Sequence, residues 1–320
     1  MRPFELTAPA TVEDALGSAG TYLAGGTTLV DLMKLDVLTP QQVLDINDLP
    51  LRGIDTADGL RFGALERMGD IAAHPGVYPA ISRALLLSAS QQLRNMASVG
   101  GNLMQRTRCS YFRDVAMPCN RRAPGSGCSA ISGVNRMHAI FGTSDSCVAT
   151  HASDVAVALV ALDAEVVLAG AEGTRTVPLS EFYRQPGETP EIEHDLRPGE
   201  LITEVRVPRL DWAENSTYVK IRDRQSYEFA LCSAAVALDV RDGKIADARV
   251  AAGGVGTVPW RLPAVEEALR GAELTEEAFA AAAAVAVEGA KPLSGNVFKP
   301  SLLKRTIVRA LLELTEGSRA

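Results

Sequence analysis

Apolar positions recur along the chain with two periods, and the points where the period changes mark its predicted elements. Thr11 precedes "VEDALGSAG" with Asp14 three residues on, a capping-box spacing that predicts a short helix. In "TYLAGGTTLVDLMK", Thr21 to Ala24 reads as a strand and Gly25-Gly26 as a tight turn. Leu29, Leu32 and Met33 then fall on one face of a helix. "QQVLDI" supplies another strand, so a strand–helix–strand unit is complete by about residue 50.

A second region opens with the strand pattern "GLRFGAL", followed by helices from Met68 to Ala73 and from Pro79 to Ser90. "VALVALDAEVVLAG" reads as a helix passing into a strand and ending in a glycine turn. "RTVPLSEFY" and "GELITEVRVP" close the region as a strand and turn pair. From about Ser216 the pattern becomes "STYVKIRDR", "SAAVALDV" and "IADARVAAGGV", three strands with Asp242-Gly243 as a hairpin turn between the last two. Helical patterns near 262–270, 274–288 and 299–315 follow. Strands first and helices afterwards predict an α+β C-terminal domain. The expected division is 1–212, with subdomains 1–50 and 51–212, and then 213–320.

Composition adds exclusions. With 320 residues, 47% hydrophobic and 22% charged, the chain is an ordinary globular sequence long enough for two cores. A net charge of −7 excludes a general nucleic-acid surface. No run of about 18 apolar residues predicts a membrane span. The N-terminus has no basic-then-apolar leader, so the chain's own sequence places it in the cytoplasm.

One segment departs from this acidic background. Residues 102–147 hold six arginines against two aspartates, and also four of the five cysteines: Cys109, Cys119, Cys128 and Cys147. Their C-x9-C-x8-C-x18-C spacing lacks the short pairs of a structural zinc site. Two disulfides would suit a small secreted domain rather than this chain. A basic loop with free thiols is the plain alternative. An iron–sulfur cluster tolerates wide spacing, and the arginines would offset its negative charge, so spacing and charge favour a cluster over the other readings. Tyr111 and Phe112 would shield sulfur from water. Cys232, in the alternating run "FALCSAAVAL", reads as a small buried apolar residue.

Two glycine pairs offer backbone N–H groups to an anion, in "AGGTTL" and in "SVGGN", though neither fits a Rossmann or P-loop pattern. Each alone reads as a close-packed turn. Together they could hold a dinucleotide's pyrophosphate from both sides. No Ser–His–Asp or paired-carboxylate arrangement is visible. His74 and His194 read as exposed. His138 and His151 lie in or just past the cysteine segment, and His151 reads either as a structural hydrogen bond or as a cofactor contact.

The motifs "FELTAPATVEDAL", "YLAGGTTLVDLMK", "MASVGGNL", "HASDVAVALVALDAEVVL", "TVPLSEFY" and "GELITEVRVP" occur in this order. Together they resemble the FAD-binding medium subunit of the xanthine oxidase family of molybdenum hydroxylases. The resemblance implies a two-part FAD-binding domain of the p-cresol methylhydroxylase/vanillyl-alcohol oxidase type, followed by a smaller α+β domain. It implies that Ala24, Gly25, Gly26, Thr27, Thr28, Leu29 and Val30 wrap the FAD pyrophosphate, with Ser98, Gly101 and Asn102 as the second loop. Asp154 would reach the cofactor's polar body, Leu201 and Ile202 would pack on its rings, and Lys220 would lie near the flavin.

The cysteine segment is an insertion at 103–148, similar to the [4Fe-4S]-bearing minority of the family, the hydroxybenzoyl-CoA reductase and aldehyde oxidoreductase types. The implied protein is an FAD and [4Fe-4S] electron-transfer subunit of a heterotrimeric aldehyde oxidoreductase. Its partners would be a molybdenum–pterin large subunit, a [2Fe-2S] small subunit and an external electron acceptor. Export with a signal-bearing partner would move it to the periplasm. A self-contained flavoprotein oxidase of the same fold, or the flavin subunit of a hydroxybenzoyl-CoA reductase-like enzyme, is the rival expectation.

Overall fold

The computed structural model describes residues 1–316. Its first unit is a three-stranded parallel sheet of order β1-β3-β2, built from β1 (Glu5–Thr7), β2 (Thr21–Leu23) and β3 (Gln42–Asp45). Helix α1 (Val12–Gly17) starts at Thr11, whose hydroxyl accepts from the Asp14 N–H at 3.0 Å. Helix α2 (Leu29–Lys34) follows the first glycine pair and buries Leu29, Leu32 and Met33, the three residues of its predicted face. The N-terminal strand β1 has no apolar alternation and was not legible in the pattern.

The second unit is an antiparallel five-stranded sheet, order β4-β5-β8-β6-β7, from β4 (Ile54–Asp55), β5 (Leu60–Gly63), β6 (Glu165–Gly170), β7 (Gly173–Pro178) and β8 (Leu201–Val207). Helices α3 (Met68–Ala73), α4 (Pro79–Leu86), α5 (Gln91–Met96) and α6 (Val99–Leu103) precede β6. The helix expected from Pro79 to Ser90 is therefore shorter. Ala89, with φ of 46°, breaks it, and Ser90 caps the next helix by accepting from Leu93 N–H. The second glycine pair also differs from expectation. It lies inside α6, a short helix, and not in an open turn.

Helix α7 (Ser110–Arg113) lies within the cysteine segment, and α8 (Asp154–Ala161) follows the segment. Every residue of α8 is buried, as its unbroken apolar composition requires. Helix α9 (Leu179–Phe182) connects β7 toward β8.

The last unit is an antiparallel sheet of order β12-β11-β10-β9: β9 (Ser216–Ile221), β10 (Cys232–Arg241), β11 (Lys244–Gly253) and β12 (Trp260–Arg261). Asp242 and Gly243 both have positive φ, 50° and 74°, the left-handed pair that a tight hairpin needs. Helices α10 (Pro263–Leu269), α11 (Glu276–Ala284) and α12 (Lys299–Glu316) cover one face. Alternation along β10 divides its residues between two cores. Cys232, Ala234, Val236 and Leu238 join the cluster under α10–α12. Ala235 and Ala237 face the other way and share a core with α4 and α8. Small side chains on that face let the fully buried α8 lie close against the sheet. Among the described residues no helix is long and apolar enough to cross a membrane.

Ala235→Leu should therefore push α8 off the sheet and cost about 1–3 kcal/mol by overpacking. Urea denaturation would read the loss, and an unchanged midpoint would mean that this face has room to spare.

Candidate functional site

The turn between β2 and α2 is shaped by close approach. A Cβ on Gly25 would lie 2.0 Å from the Met96 carbonyl oxygen, so only glycine fits there. Gly26 has φ of 70°, which also favours glycine. The Gly26 carbonyl accepts from Val30 N–H at 3.0 Å, while the N–H groups of Gly26, Thr27 and Thr28 have no internal acceptor among the described residues. They border a cleft of about 730 Å³. Ala24 to Leu29, Ser98, Gly101, Leu201 and Ile202 all line it. Ten of the fourteen residues expected at a cofactor thus meet at one cavity.

Val30, Asn102, Asp154 and Lys220 do not line that cleft. Val30 lies behind the turn. Asn102 is a strut, its side-chain oxygen accepting from the Ser153 hydroxyl at 2.6 Å. The second glycine pair also behaves unlike the first, because its amides are spent internally. Val99 N–H donates to Glu66 O, Gly100 N–H to Ala64 O, Gly101 N–H to Ser98 Oγ and Asn102 N–H to Ser98 O.

Asp154 borders a second cavity of about 410 Å³. One Asp154 oxygen accepts from Lys220 Nζ at 2.8 Å and Ser88 Oγ at 3.0 Å, and the other from Tyr218 OH at 2.7 Å. Lys220 also donates to Leu87 O at 3.2 Å, and its side chain is 1% exposed. These two expected site residues are each other's partners. Burial and the Asp154 carboxylate hold the Tyr218 phenol well above its ordinary range.

His151 lines both cavities. Its Nδ1 accepts from Ser153 N–H at 3.3 Å, which leaves the ring proton on Nε2. Burial, and then the nearby Arg121 cation, push its pKa down to about 3, so the ring is neutral at ordinary pH. His194 corrects its expectation. It is half-buried, stacked on Phe182 with ring centroids 5.6 Å apart, and lines the first cavity. His74 is likewise half-buried and not exposed.

All four cysteines of the Arg-rich segment line one small cavity, together with Tyr111, Phe112 and Arg121. All four are free thiols, and Cys119 and Cys128 sit opposite each other in an isolated backbone bridge. Among the described residues no three His, Cys, Asp or Glu side chains are spaced to hold a single metal ion. Backbone amides nevertheless aim at sulfur: Tyr111 and Phe112 at Cys109, Ala130, Ile131 and Val148 at Cys128, and Ala149 at Cys147. His138 Nε2 lies 3.1 Å from Cys109 Sγ. Burial pushes the Cys109 thiol up to about 11. Cys232 lies apart, fully buried in β10, as expected.

The arginines are arranged differently from the expectation of a general positive shell. Arg108 and Arg113 pair with Asp31, Arg106 and Arg121 with Glu193, and Arg136 with Asp223. Arg122 donates to the carbonyls of Tyr111, Phe112 and Met117. Arg121 also lines the thiol cavity, beside Cys147.

Residues 2–210 match the family model described as FAD binding domain in molybdopterin dehydrogenase. Residues 217–314 match the CO dehydrogenase flavoprotein C-terminal domain. The chain belongs to this family of flavin-binding oxidoreductase subunits. It is 48% identical over 299 residues to the aldehyde oxidoreductase FAD-binding subunit PaoB of Escherichia coli (strain K12), covering 91% of this chain and 90% of that one. It is 32% identical to the glyceraldehyde dehydrogenase medium chain of Sulfolobus acidocaldarius, covering 80% and 75%. Carbon monoxide dehydrogenase from Hydrogenophaga pseudoflava superposes with a TM-score of 0.72 at 27% identity, covering 97% of this chain and 96% of that one.

The chemistry of the first cleft fits this flavin-binding family. Its turn presents unpaired N–H donors, and its walls carry apolar side chains such as Leu65, Leu103 and Met104. The residues that sequence reading missed are Arg106, Tyr183, Glu193 and His194, all on the cleft and all in irregular segments except for local pairing. No periodicity marks such positions.

The Asp154–Lys220 pair generates a stability prediction. Asp154→Ala would leave a buried ammonium without its carboxylate and should cost about 3–5 kcal/mol. Adding Lys220→Met should recover most of that loss, read as denaturation midpoints of the flavin-free chain. A double variant no better than the single would show that the carboxylate matters for other reasons.

Proposed function

We propose that this chain is the FAD- and [4Fe-4S]-carrying electron-transfer subunit of a molybdenum aldehyde oxidoreductase. The observation that carries the reading is the glycine turn, whose unpaired amides face a cleft of about 730 Å³ in a chain 48% identical to an aldehyde oxidoreductase FAD-binding subunit. Its complex would include a molybdenum–pterin large subunit and a [2Fe-2S] small subunit. Bound FAD supplies the exchange between two-electron and one-electron traffic, on the way to an external acceptor.

This chain's own residues bind and orient. Gly26, Thr27 and Thr28 donate amides to the pyrophosphate, and Gly25 lets the turn approach α5. Ser98 and Gly101 form the opposite wall, and Leu201 and Ile202 pack on the rings. Val30 and Asn102 hold the two glycine segments from behind. Asp154 and Lys220 act as a pair that stiffens the floor of the second cavity. The division at 212/213 is supported by one matched segment ending at 210 and the next beginning at 217. The compartment follows from the partners, because a signal on one of them would export the folded complex.

Cys109, Cys119, Cys128 and Cys147 would hold the [4Fe-4S] cluster. Support comes from the convergence of four soft donors on one cavity and from the amides aimed at their sulfurs. Tyr111 and Phe112 exclude water there, and Phe112 is fully buried.

Purification with the partner subunits, followed by flavin, iron and molybdenum analysis, tests the reading. About four irons beyond those of the small subunit are expected. Serine at any one of the four cysteines should remove or convert the cluster, because an alkoxide is a poorer ligand for a soft site. Cys232→Ser should leave iron unchanged. Zinc, a disulfide, or full iron in a single serine variant would sink the cluster assignment.

A second prediction concerns the turn. Gly26→Val should abolish FAD retention, since a branched side chain opposes the positive φ there. It would also crowd Val30, whose Cγ2 lies 3.2 Å from where a Cβ on residue 26 would sit. Full flavin in that variant would place the cofactor elsewhere.

A further inference from the structure

Glu193 joins the two candidate sites. It lies on the wall of the first cleft, in the irregular segment before β8, and its carbonyl accepts from Arg184 N–H at 3.0 Å. Its carboxylate is gripped by two guanidinium groups. Arg106 Nε donates to Oε1, and Arg121 Nη1 donates to Oε2 at 2.6 Å. The two arginines face different sites. Arg106 lines the cleft and not the thiol cavity, and Arg121 lines the thiol cavity and not the cleft.

The contact is built to be rigid. The Arg121 side chain is 6% exposed and that of Glu193 is 15% exposed, so water competes weakly for either charge. Arg121 also lines the thiol cavity beside Cys147, and its carbonyl accepts from Arg106 Nη2 at 3.4 Å. Arg106 in turn lies over the Phe112 ring, 4.6 Å from its centroid, and Phe112 packs with Cys119 and Leu32 in one small core. A displacement of Arg121 in the thiol pocket therefore reaches the cleft wall through the Glu193 carboxylate, and one of Phe112 through Arg106.

We infer that the Arg106–Glu193–Arg121 triad is a positioning tie that makes retention of FAD in the cleft and integrity of the thiol pocket depend on each other. The inference rests on the proposed FAD and cluster sites. Arg121 acts through Glu193 and the wall segment, and does not itself line the cleft. When the thiol pocket is ordered, Arg121 holds Glu193 in place, and the wall closes on the ligand without losing freedom at that moment. When the pocket opens, the wall must be ordered by the ligand itself. Such coupling is reciprocal, so a ligand in the cleft protects the thiol pocket as much as the pocket favours the ligand.

The test titrates FAD into the flavin-stripped full chain, following flavin fluorescence, for the wild type, Arg121→Gln, Glu193→Gln and the double variant. Each single variant should bind FAD roughly ten-fold more weakly, within the usual range for coupling between sites. The double variant should be no weaker than the worse single, because the tie breaks once. Arg121→Lys, which keeps the charge, should recover part of the loss and serves as the second variant if glutamine disturbs folding. Melting of the stripped chains separates a folding defect from a positioning one. In the reciprocal arm, FAD should slow iron loss to a chelator in the wild type and not in Glu193→Gln.

Unchanged FAD affinity in Arg121→Gln, or additive losses in the double variant, would overturn the tie. An iron-free wild type would remove the cluster reading alone, because the FAD series still reads the tie. A wild type that binds no FAD would remove both the flavin site and the tie.

Discussion

A helix with no solvent face sets the terms for the rest of this structure. Every residue of α8 is buried, and its first residue is an aspartate. The seven apolar residues require cover on all sides, which α4, α9, β11 and the alanine face of β10 provide. The aspartate requires partners at the same depth. Lys220 and Tyr218 come from β9 and Ser88 from just past the end of α4, so one carboxylate joins three parts of the chain that are distant in sequence. A buried pair of this kind gives little net stability against an apolar replacement, but breaking it is costly. Its consequence is a fixed floor for the second cavity, beside His151 and the entrance to the first.

The cysteine segment solves a different problem. A long segment with little regular structure needs anchors, and the anchors are carboxylates from elsewhere in the chain. Asp31, on α2, holds Arg108 and Arg113, and Glu193, on the wall of the first cleft, holds Arg106 and Arg121. The Arg113 hydrogen bond, opposed by partial burial, keeps the Asp31 carboxyl below its ordinary range. The positive charge of the segment is thus consumed mostly by ion pairs that tie it to α2 and to the wall of the first cleft.

This arrangement suits a subunit that positions cofactors. His151 is neutral and lines both cavities, the Asp154 carboxylate is saturated with donors, and the free donors of the glycine turn are backbone amides. Amide N–H groups do not ionise at ordinary pH, so they orient an anion without adding acid or base chemistry. The walls contribute apolar contact and the glycines allow close approach. Substrate chemistry on this reading belongs to a partner, and this chain contributes distance, orientation and electrostatics.

Sequence alone determined what depends on neighbours along the chain. Thr11 and Asp14 predicted a cap that forms, and Asp242-Gly243 predicted a turn whose two residues adopt positive φ. The apolar face of α2 and the helices after β12 followed from period 3.6. The family motifs located the glycine turn, and ten of the expected residues meet at its cleft. Tertiary structure decided which partner each polar group takes. Gly100 and Gly101 belong to a helix whose first amides are accepted by Glu66, Ala64 and Ser98. Asp154 faces Lys220, His194 stacks on Phe182, and Arg121 pairs with Glu193. A local pattern fixes dihedral angles and the face a side chain occupies. The choice among charged or polar partners 66 or 72 residues away is made by packing, because only the assembled cores bring one candidate within hydrogen-bonding distance and bury the competitors for it.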